Sequence, residues 1–400
     1  MGDMQRGGLL FAGASLGDRY VVRRKLGEGG MSIVWLIEEG SGNWFAAKEP
    51  ILKGVSQEEA LRNIKFVSHE GRILSMISHQ NVCAFYGAYR AKYGDLNSVM
   101  IVIEYMDGGS LRDVPQPLQP DELKDVLRQA LEGLAAVHGA GVIHRDIKPS
   151  NLMRKGDKVK LIDFGTALLR FESAREIVVS PGGYTAPEQL KGTSLFQSDI
   201  WSLGATVLYL ATKRPPCQFI KGYDCSSSPR APEALELALP DLGDDLLNQF
   251  VAKALDPDYS RRFADAGEAL TFLSGQRVER RGLTFMIKGR SIAIPGGRVY
   301  IGRIDDSRKD LALEGEFLYI YDPDKYISRM HVEIAEIQGR WYIRDLGSTN
   351  RTALYRGGSW FYIWRGKGVT SQWFELKDGD IIALGYDDAK GPYILATVRL

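Results

Sequence analysis

The sequence predicts an α+β chain: a mixed first part followed by an all-β sandwich. Three observations carry this expectation. Strand-like runs broken by glycine turns fill residues 19–50, helical patterning dominates from about residue 120 to 273, and short β-rich runs between Gly, Asp and Asn turns occupy the region beyond residue 283. A length of 400 residues fits two or three domains.

The first strands lie in "YVVRRKLGEGGMSIVWLIEEGSGNWFAAKEP", and a helix is expected over 57–77, where Leu61, Ile64, Phe66, Ile73, Leu74 and Ile77 recur at roughly helical spacing. Strands fit "CAFYGAYR" and "SVMIVIEYM". The stretch 120–138 puts Leu123, Val126, Leu127, Ala130, Leu131, Leu134 and Val137 on one helical face, with Pro120 and Asp121 as the start signal. Further helices are expected at 198–212, 231–238, 243–255 and 264–273. The polar stretch "SGQRVERRG" then reads as a linker, and "LTFMIKG", "RSIAIPGG", "RVYIGR", "EFLYIYD", "HVEIAEIQGRWYIRDLG", "DGDIIALG" and "YILATVRL" read as strands of a sandwich.

Composition excludes several classes of function. Hydrophobic residues make up 44% and charged residues 25%, while the net charge of +1 gives no general attraction to nucleic acid or an anionic membrane. Any phosphate recognition is therefore local. The N-terminus lacks a signal-peptide core, Arg6 stands where a myristoylation signal needs Ser or Thr, and no apolar run reaches the length of about 18 residues that spans a bilayer. "IWSLGATVLYLAT" reads as a buried core helix. Cys83, Cys217 and Cys225, an odd count without close pairs, predict neither a disulfide framework nor a zinc site and fit a reducing, cytoplasmic setting.

Chemistry gathers in four places. Gly27, Gly29 and Gly30 would let backbone amides approach a phosphate, and the hairpin after them, in place of a helix, argues against a dinucleotide fold. Lys48 ends an apolar strand, and Glu70, a lone charge on an apolar helix face, is a partner for it. "VIHRDIKPSNLM" packs His144, Arg145, Asp146, Lys148 and Asn151 among apolar residues, which is costly without pairing or a ligand. Asp163 in "VKLIDFGTA", together with Asn151, makes a plausible magnesium site beside a phosphate cradle.

Together with "APE" (186–188), "DIWSLG" (199–204) and "SRRF" (260–263), these residues resemble a eukaryotic-like Ser/Thr protein kinase of the bacterial-type branch over about residues 18–275. The resemblance implies a bilobal kinase fold, with an N-lobe over about 18–104 and a C-lobe over about 107–275. Gly27, Gly29, Gly30, Val34 and the backbones of Glu104 and Met106 would hold ATP. Lys48, paired with Glu70, would contact the α/β-phosphates, and Lys148 the γ-phosphate. Asp146 would receive the substrate proton, and Asn151 and Asp163 would hold Mg2+, or Mn2+ in its place. Arg262–Glu188 and Asp199 would be structural. Pro181 stands where the family places a threonine beside the catalytic aspartate, and it has no hydroxyl to offer. That departure supports an alternative, a pseudokinase scaffold. Arg145 before Asp146 resembles kinases whose activation segment is ordered by phosphorylation, which makes Ser173 and Ser180 candidate phosphosites; Thr166 and Thr185 read as anchored hydroxyls.

Beyond the linker at 276–282, "YIGR", "ISRMH" and "LGSTN" place Arg303, Ser328 and Asn350 at strand ends. Their spacing resembles the forkhead-associated (FHA) domain, a phosphothreonine reader, over 283–400. By resemblance Arg303, Ser328, Arg329 and Thr349 surround the phosphate, Asn350 holds the peptide backbone and His331 packs. Arg351 replaces a usual glycine. The aromatic insertion "LYRGGSWFYIWRGKGVTSQWF" forms either an extra hairpin packed on the sandwich, the favoured reading, or a docking surface. The implied partners are protein substrates and phosphothreonine-containing proteins, with no nucleic acid and no membrane. Because the exposed middle of the activation segment offers serines, the reader is expected to dock elsewhere than on that segment.

Overall fold

A computed structural model describes residues 7–169, 178–226, 228–275, 283–294, 297–304, 310–337, 340–388 and 390–400. The chain divides into two compact units, Met1–Gly275 and Gln276–Leu400. The expected linker and Ser173 lie outside the described residues.

The first unit opens with a six-stranded antiparallel sheet. Its strands are β1 (Ser15–Leu16), β2 (Tyr20–Glu28), β3 (Ser32–Glu39), β4 (Trp44–Pro50), β5 (Phe85–Tyr93) and β6 (Leu96–Glu104), in the order β1-β2-β3-β4-β6-β5. Helix α1 (Gln57–Leu74) packs on it. A capping box fixes the helix start, the Ser56 hydroxyl accepting from the Glu59 amide while the Glu59 carboxylate accepts from the Ser56 amide. Its buried face carries Ala60, Ile64, Val67, Ile73 and Leu74, together with Glu70.

Residues ahead of Tyr20 also pack on this lobe. Leu9 packs against Leu52, Ala60 and Ile64, the last two on α1. The backbone amides of Leu9 and Leu10 donate to the fully buried Glu49 carboxylate at 2.7 and 3.1 Å, and the Trp35 indole donates to it at 2.7 Å. A buried carboxylate needs such donors. Residues 7–16 thus form a strap tied to β4 and wedged against α1.

The second lobe is helical: α2 (Pro120–Gly139), α3 (Pro187–Leu190), α4 (Phe196–Thr212), α5 (Asp245–Ala254) and α6 (Ala266–Leu273), with the two-residue or four-residue strands β7 (Val142–Ile143), β8 (Leu152–Lys155), β9 (Lys158–Leu161), β10 (Leu168–Leu169), β11 (Ile220–Lys221) and β12 (Glu236–Leu237). All seven residues expected on one face of α2 are buried. The expected helix at 231–238 is absent; that stretch is extended, and β12 pairs with β11. Leu235, Leu237 and Leu239, at every second position, pack against the core, which is the period of a strand. The expectation about cysteines also fails, because Cys217 and Cys225 form a disulfide with their Cα atoms 5.6 Å apart. The seven residues between them fold back so that the two thiols meet, which a count of cysteines does not register. Cysteine usage therefore gives no support for a reducing compartment.

The second unit is a sandwich of two six-stranded sheets. One contains β13 (Leu283–Ile287), β14 (Arg290–Ile294), β20 (Thr352–Arg356), β21 (Ser359–Tyr362), β23 (Ile381–Asp387) and β24 (Gly391–Arg399). The other contains β15 (Arg298–Ile304), β16 (Leu311–Glu314), β17 (Phe317–Tyr321), β18 (Val332–Ile337), β19 (Arg340–Asp345) and β22 (Phe374–Glu375). Pairing is antiparallel except between β15 and β17. Alternate residues of both sheets, among them Phe285, Ile301, Ile320, Ile334, Ile343, Ile382 and Val398, fill the core. The aromatic insertion forms the β20–β21 hairpin. Trp360 packs against Tyr355 and Tyr386, with ring centroids 5.2 and 5.3 Å away.

Candidate functional sites

In the first unit, the strand–helix arrangement brings Lys48 of β4 to Glu70 of α1. The Lys48 ammonium lies 2.6 Å from Glu70 Oε2 and 2.9 Å from Asp163 Oδ1. Burial alone would lower the Lys48 pKa, but the two carboxylates outweigh it and hold the ammonium charged, above its usual range. Burial raises the Glu70 pKa, whereas at Asp163 the pull of Lys48 overcomes burial and keeps the carboxylate ionised. Asp163 has φ 65° and Arg145 φ 71°. Both are left-handed conformations that non-glycine residues keep only where surrounding contacts impose them.

Those contacts are visible at Arg145. Asp199 of α4 accepts from the backbone amides of His144 and Arg145, each at 2.8 Å, and from His138 Nε2 at 3.0 Å. Gln189 donates to the Arg145 carbonyl at 2.9 Å. The loop so fixed presents Asp146. Asn151 Nδ2 donates to the Asp146 carbonyl at 2.8 Å and to its Oδ2 at 3.0 Å, and Lys148 Nζ sits 2.8 Å from Oδ2. The other carboxylate oxygen accepts from the Ser180 hydroxyl. Lys148 Nζ also reaches Ser180 Oγ, at 3.4 Å.

The concern raised by Pro181 is thereby answered: a hydroxyl does lie beside Asp146, supplied one residue earlier. Gly182 and Gly183, at φ 91° and 98°, let the chain turn there. Thr185 Oγ1 accepts from the Ser180 amide at 2.7 Å and donates to its carbonyl at 3.1 Å. Ser180 is itself buried, 4% exposed, so its hydroxyl is engaged in the site rather than displayed to solvent. Thr166 is likewise tied back, its hydroxyl 3.5 Å from the His144 carbonyl. Sequence reasoning missed Ser180 as a partner of Asp146 because the family pattern places that hydroxyl at 181. It also missed Gln189.

The glycines of the β2–β3 turn face open space. A Cβ on Gly27 or Gly30 would meet nothing within 4 Å, and one on Gly29 would meet only the Ser32 carbonyl, 3.9 Å away. Neither packing nor a positive φ demands glycine there. Val34 of β3 pairs with Lys48. The Glu104 carboxylate is committed to Lys160 and Lys155, at 2.8 and 3.0 Å, and Met106 is buried at the start of the second lobe. Arg262 forms an ion pair with Glu188 at 2.8 Å.

In the second unit, β15 ends beside the 326–330 loop. A Cβ on Gly302 would lie 1.9 Å from the Arg329 carbonyl oxygen, so only glycine allows the approach. Arg303 follows: its amide donates to the Ser328 carbonyl at 3.0 Å and its Nε to the Ile327 carbonyl at 3.1 Å. Ser328 Oγ accepts from the Thr349 amide at 3.1 Å, and Asn350 Nδ2 donates to the Tyr326 carbonyl at 3.0 Å. Arg303, Ser328, Thr349 and Asn350 are therefore brought together from three strand ends; Arg329 is exposed on the same loop as Ser328. Buried His331 accepts from the Ser328 amide at Nδ1, 3.0 Å, and burial pushes its pKa down to about 4, so the ring is neutral. Arg351 is held by other residues of this unit. It bonds to Asp388 at 2.6 Å and to the Tyr362 hydroxyl at 3.2 Å, and its φ of 23° is one that glycine adopts more readily.

A protein kinase domain model matches residues 20–271 and an FHA domain model residues 299–385. The chain belongs to the protein kinase family and carries an FHA domain after its kinase domain. It is 35% identical over 205 residues to the fission yeast serine/threonine-protein kinase sid1, covering 49% of this chain and 42% of the relative. It is 31% identical over 303 residues to a probable serine/threonine-protein kinase of Encephalitozoon cuniculi, covering 73% and 53%. Against serine/threonine-protein kinase pkn2 of Myxococcus xanthus the identity is 32% over 271 residues, covering 63% and 32%. The chain thus spans about half or less of the length of these relatives.

Proposed function

We propose that the chain is a Ser/Thr protein kinase that transfers the γ-phosphoryl group of ATP to protein hydroxyls, and that its FHA domain docks phosphothreonine-containing proteins. The observation that carries this reading is the joint arrangement of Lys48 with Glu70 and Asp163, and of Asp146 with Asn151, Lys148 and Ser180. Lys48, held charged, neutralises the α/β-phosphates. Asp146 orients the substrate hydroxyl and takes its proton as the oxygen bonds to the γ-phosphorus, while the bond to the β–γ bridging oxygen breaks and ADP leaves. Lys148 balances the charge on the γ-phosphate.

Asn151 and Asp163 suit Mg2+ or Mn2+: the amide nitrogen of Asn151 is spent on Asp146, leaving oxygen for a hard cation, and Asp163 is ionised. A bound cation supplies further neutralisation of phosphate charge. The open glycine turn suits the phosphates themselves, since glycine there answers to a ligand rather than to the fold. General-base assistance accounts for about 10²–10⁴-fold, and positioning with charge neutralisation for the remainder. Lys48 and Asp163 should therefore matter at least as much as Asp146.

A radiolabelled ATP assay comparing wild type with Asp146→Ala tests the kinase reading: incorporation should collapse in the variant, and equal incorporation would sink it. The scaffold alternative leaned on Pro181, and Ser180 removes that support. For the reader domain, a phosphate bearing roughly −1.5 to −2 charges, met by two or three charged hydrogen bonds of about 1.5–3 kcal/mol each, is enough for micromolar binding. Its ligands are phosphothreonines away from the serine-bearing activation segment. Among the described residues no helix is long and apolar enough to cross a membrane.

A further inference from the structure

The recognition loop running from Asp345 to Thr352 is gripped from two sides. On the inner side the buried Asp345 carboxylate accepts from the amides of Gly347 and Ser348, both at 2.8 Å, and from the hydroxyls of Ser348 and Thr352. On the outer side, the chain that follows β21 runs alongside. The Trp364 indole donates to the Ser348 carbonyl at 2.8 Å, the Gly368 amide to the Gly347 carbonyl at 2.8 Å, and the Ser371 amide to the Asp345 carbonyl at 2.9 Å. The approach is so close that a Cβ on Gly347 would lie 2.6 Å from the Gly368 carbonyl carbon. Arg351 joins the two segments again, its guanidinium 5.7 Å from the Trp364 ring centroid. At the tip, exposed Thr349 and half-buried Asn350 bond across to Ser328 and Tyr326.

We propose that residues 359–373 are a brace that sets the phosphopeptide loop in its binding shape before a ligand arrives, with Trp364 as its positioning residue. The proposal rests on the reading of Arg303, Ser328 and Asn350 as the phosphothreonine site. A free loop loses conformational freedom when it binds; a loop whose carbonyls are already bonded has met that cost on folding. Trp364 sits at the decisive place, because Ser348 directly precedes the two residues that face the ligand. Its ring is half-buried and its one polar atom is used on the loop.

The test uses the full chain and a degenerate peptide library containing one phosphothreonine. Affinity is read by fluorescence polarisation, and amide hydrogen exchange is followed over 345–352. Trp364→Phe keeps an aromatic ring and removes the N–H. It is expected to weaken binding about three- to ten-fold and to speed exchange at the Thr349 amide, while β23–β24 exchange and basal phosphorylation of a generic protein substrate stay unchanged. Arg303→Ala examines the site itself and should abolish binding with loop exchange unaltered. Wild-type affinity and exchange in Trp364→Phe, alongside lost binding in Arg303→Ala, would overturn the brace. So would weakened binding with unaltered exchange, since Trp364 would then act on the ligand directly. If Arg303→Ala binds normally, the site reading fails, and the exchange arm still decides whether the loop is braced.

Discussion

At the scale of the residue, Ser180 is the most informative position. Its hydroxyl donates to one oxygen of Asp146 while Lys148 holds the other. Replacing it by alanine leaves a charged acceptor short of a partner, which costs about 1.5–3 kcal/mol. If that loss falls on the transition state, Ser180→Ala should lower kcat about ten- to a hundred-fold with little change in the KM for ATP; steady-state kinetics on a protein substrate decide it. Lys48, Glu70, Asp146, Lys148 and Asp163 stand out in the sequence as charges among apolar residues, and a buried charge requires a partner. Ser180 was legible only as a hydroxyl. Its contact depends on how two glycines turn the chain, and spacing alone does not encode that.

At the scale of the element, the helices that were legible are those with a strong period and a start signal, as α2 shows. The failure at 231–238 has a definite cause. In "APEALELALP" the leucines alternate, and three of them reach the core from an extended chain bracketed by Pro232 and Pro240. The N-terminal strap was not legible either, since an apolar patch within a glycine-rich stretch has no period. Its consequence is concrete. Leu9 fills a gap beside α1, the helix that delivers Glu70 to Lys48. Leu9→Ala should cost about 1–2 kcal/mol in urea unfolding of the first unit and lower phosphoryl transfer in step, because α1 loses a support. Unchanged stability and rate would show the strap to be passive.

At the scale of the whole molecule, each hydrophobic cluster among the described residues draws its buried residues from one unit. Calorimetry should therefore resolve two unfolding transitions, and acid should separate them. His331 has a folded pKa of about 4 against an ordinary 6.5. Between those values the unfolded chain binds a proton that the folded sandwich does not, so stability is full above about pH 6.5 and falls as the pH drops toward 4. The shift corresponds to a loss on the order of 3 kcal/mol. Only the sandwich transition should carry this term, and His331→Gln should remove it. That two domains exist was legible in the change from mixed to β-rich sequence near residue 283. The brace was not, because hydrogen bonds to backbone carbonyls leave no mark on side-chain pattern.

The burial of Ser180 has a bearing on how regulation in this chain is to be mapped. Alanine scanning of the activation segment should mark Ser180 as strongly impaired, and an impaired alanine variant is the usual genetic signature of an activating modification. In this chain Ser180→Ala is expected to show that signature without any modification, because the hydroxyl it removes is the one that donates to Asp146. An aspartate placed there to imitate phosphate would set a negative charge against Asp146 and fail as well. Peptide mass spectra, rather than mutant phenotypes, are the means of distinguishing a regulatory serine from a structural one in this segment.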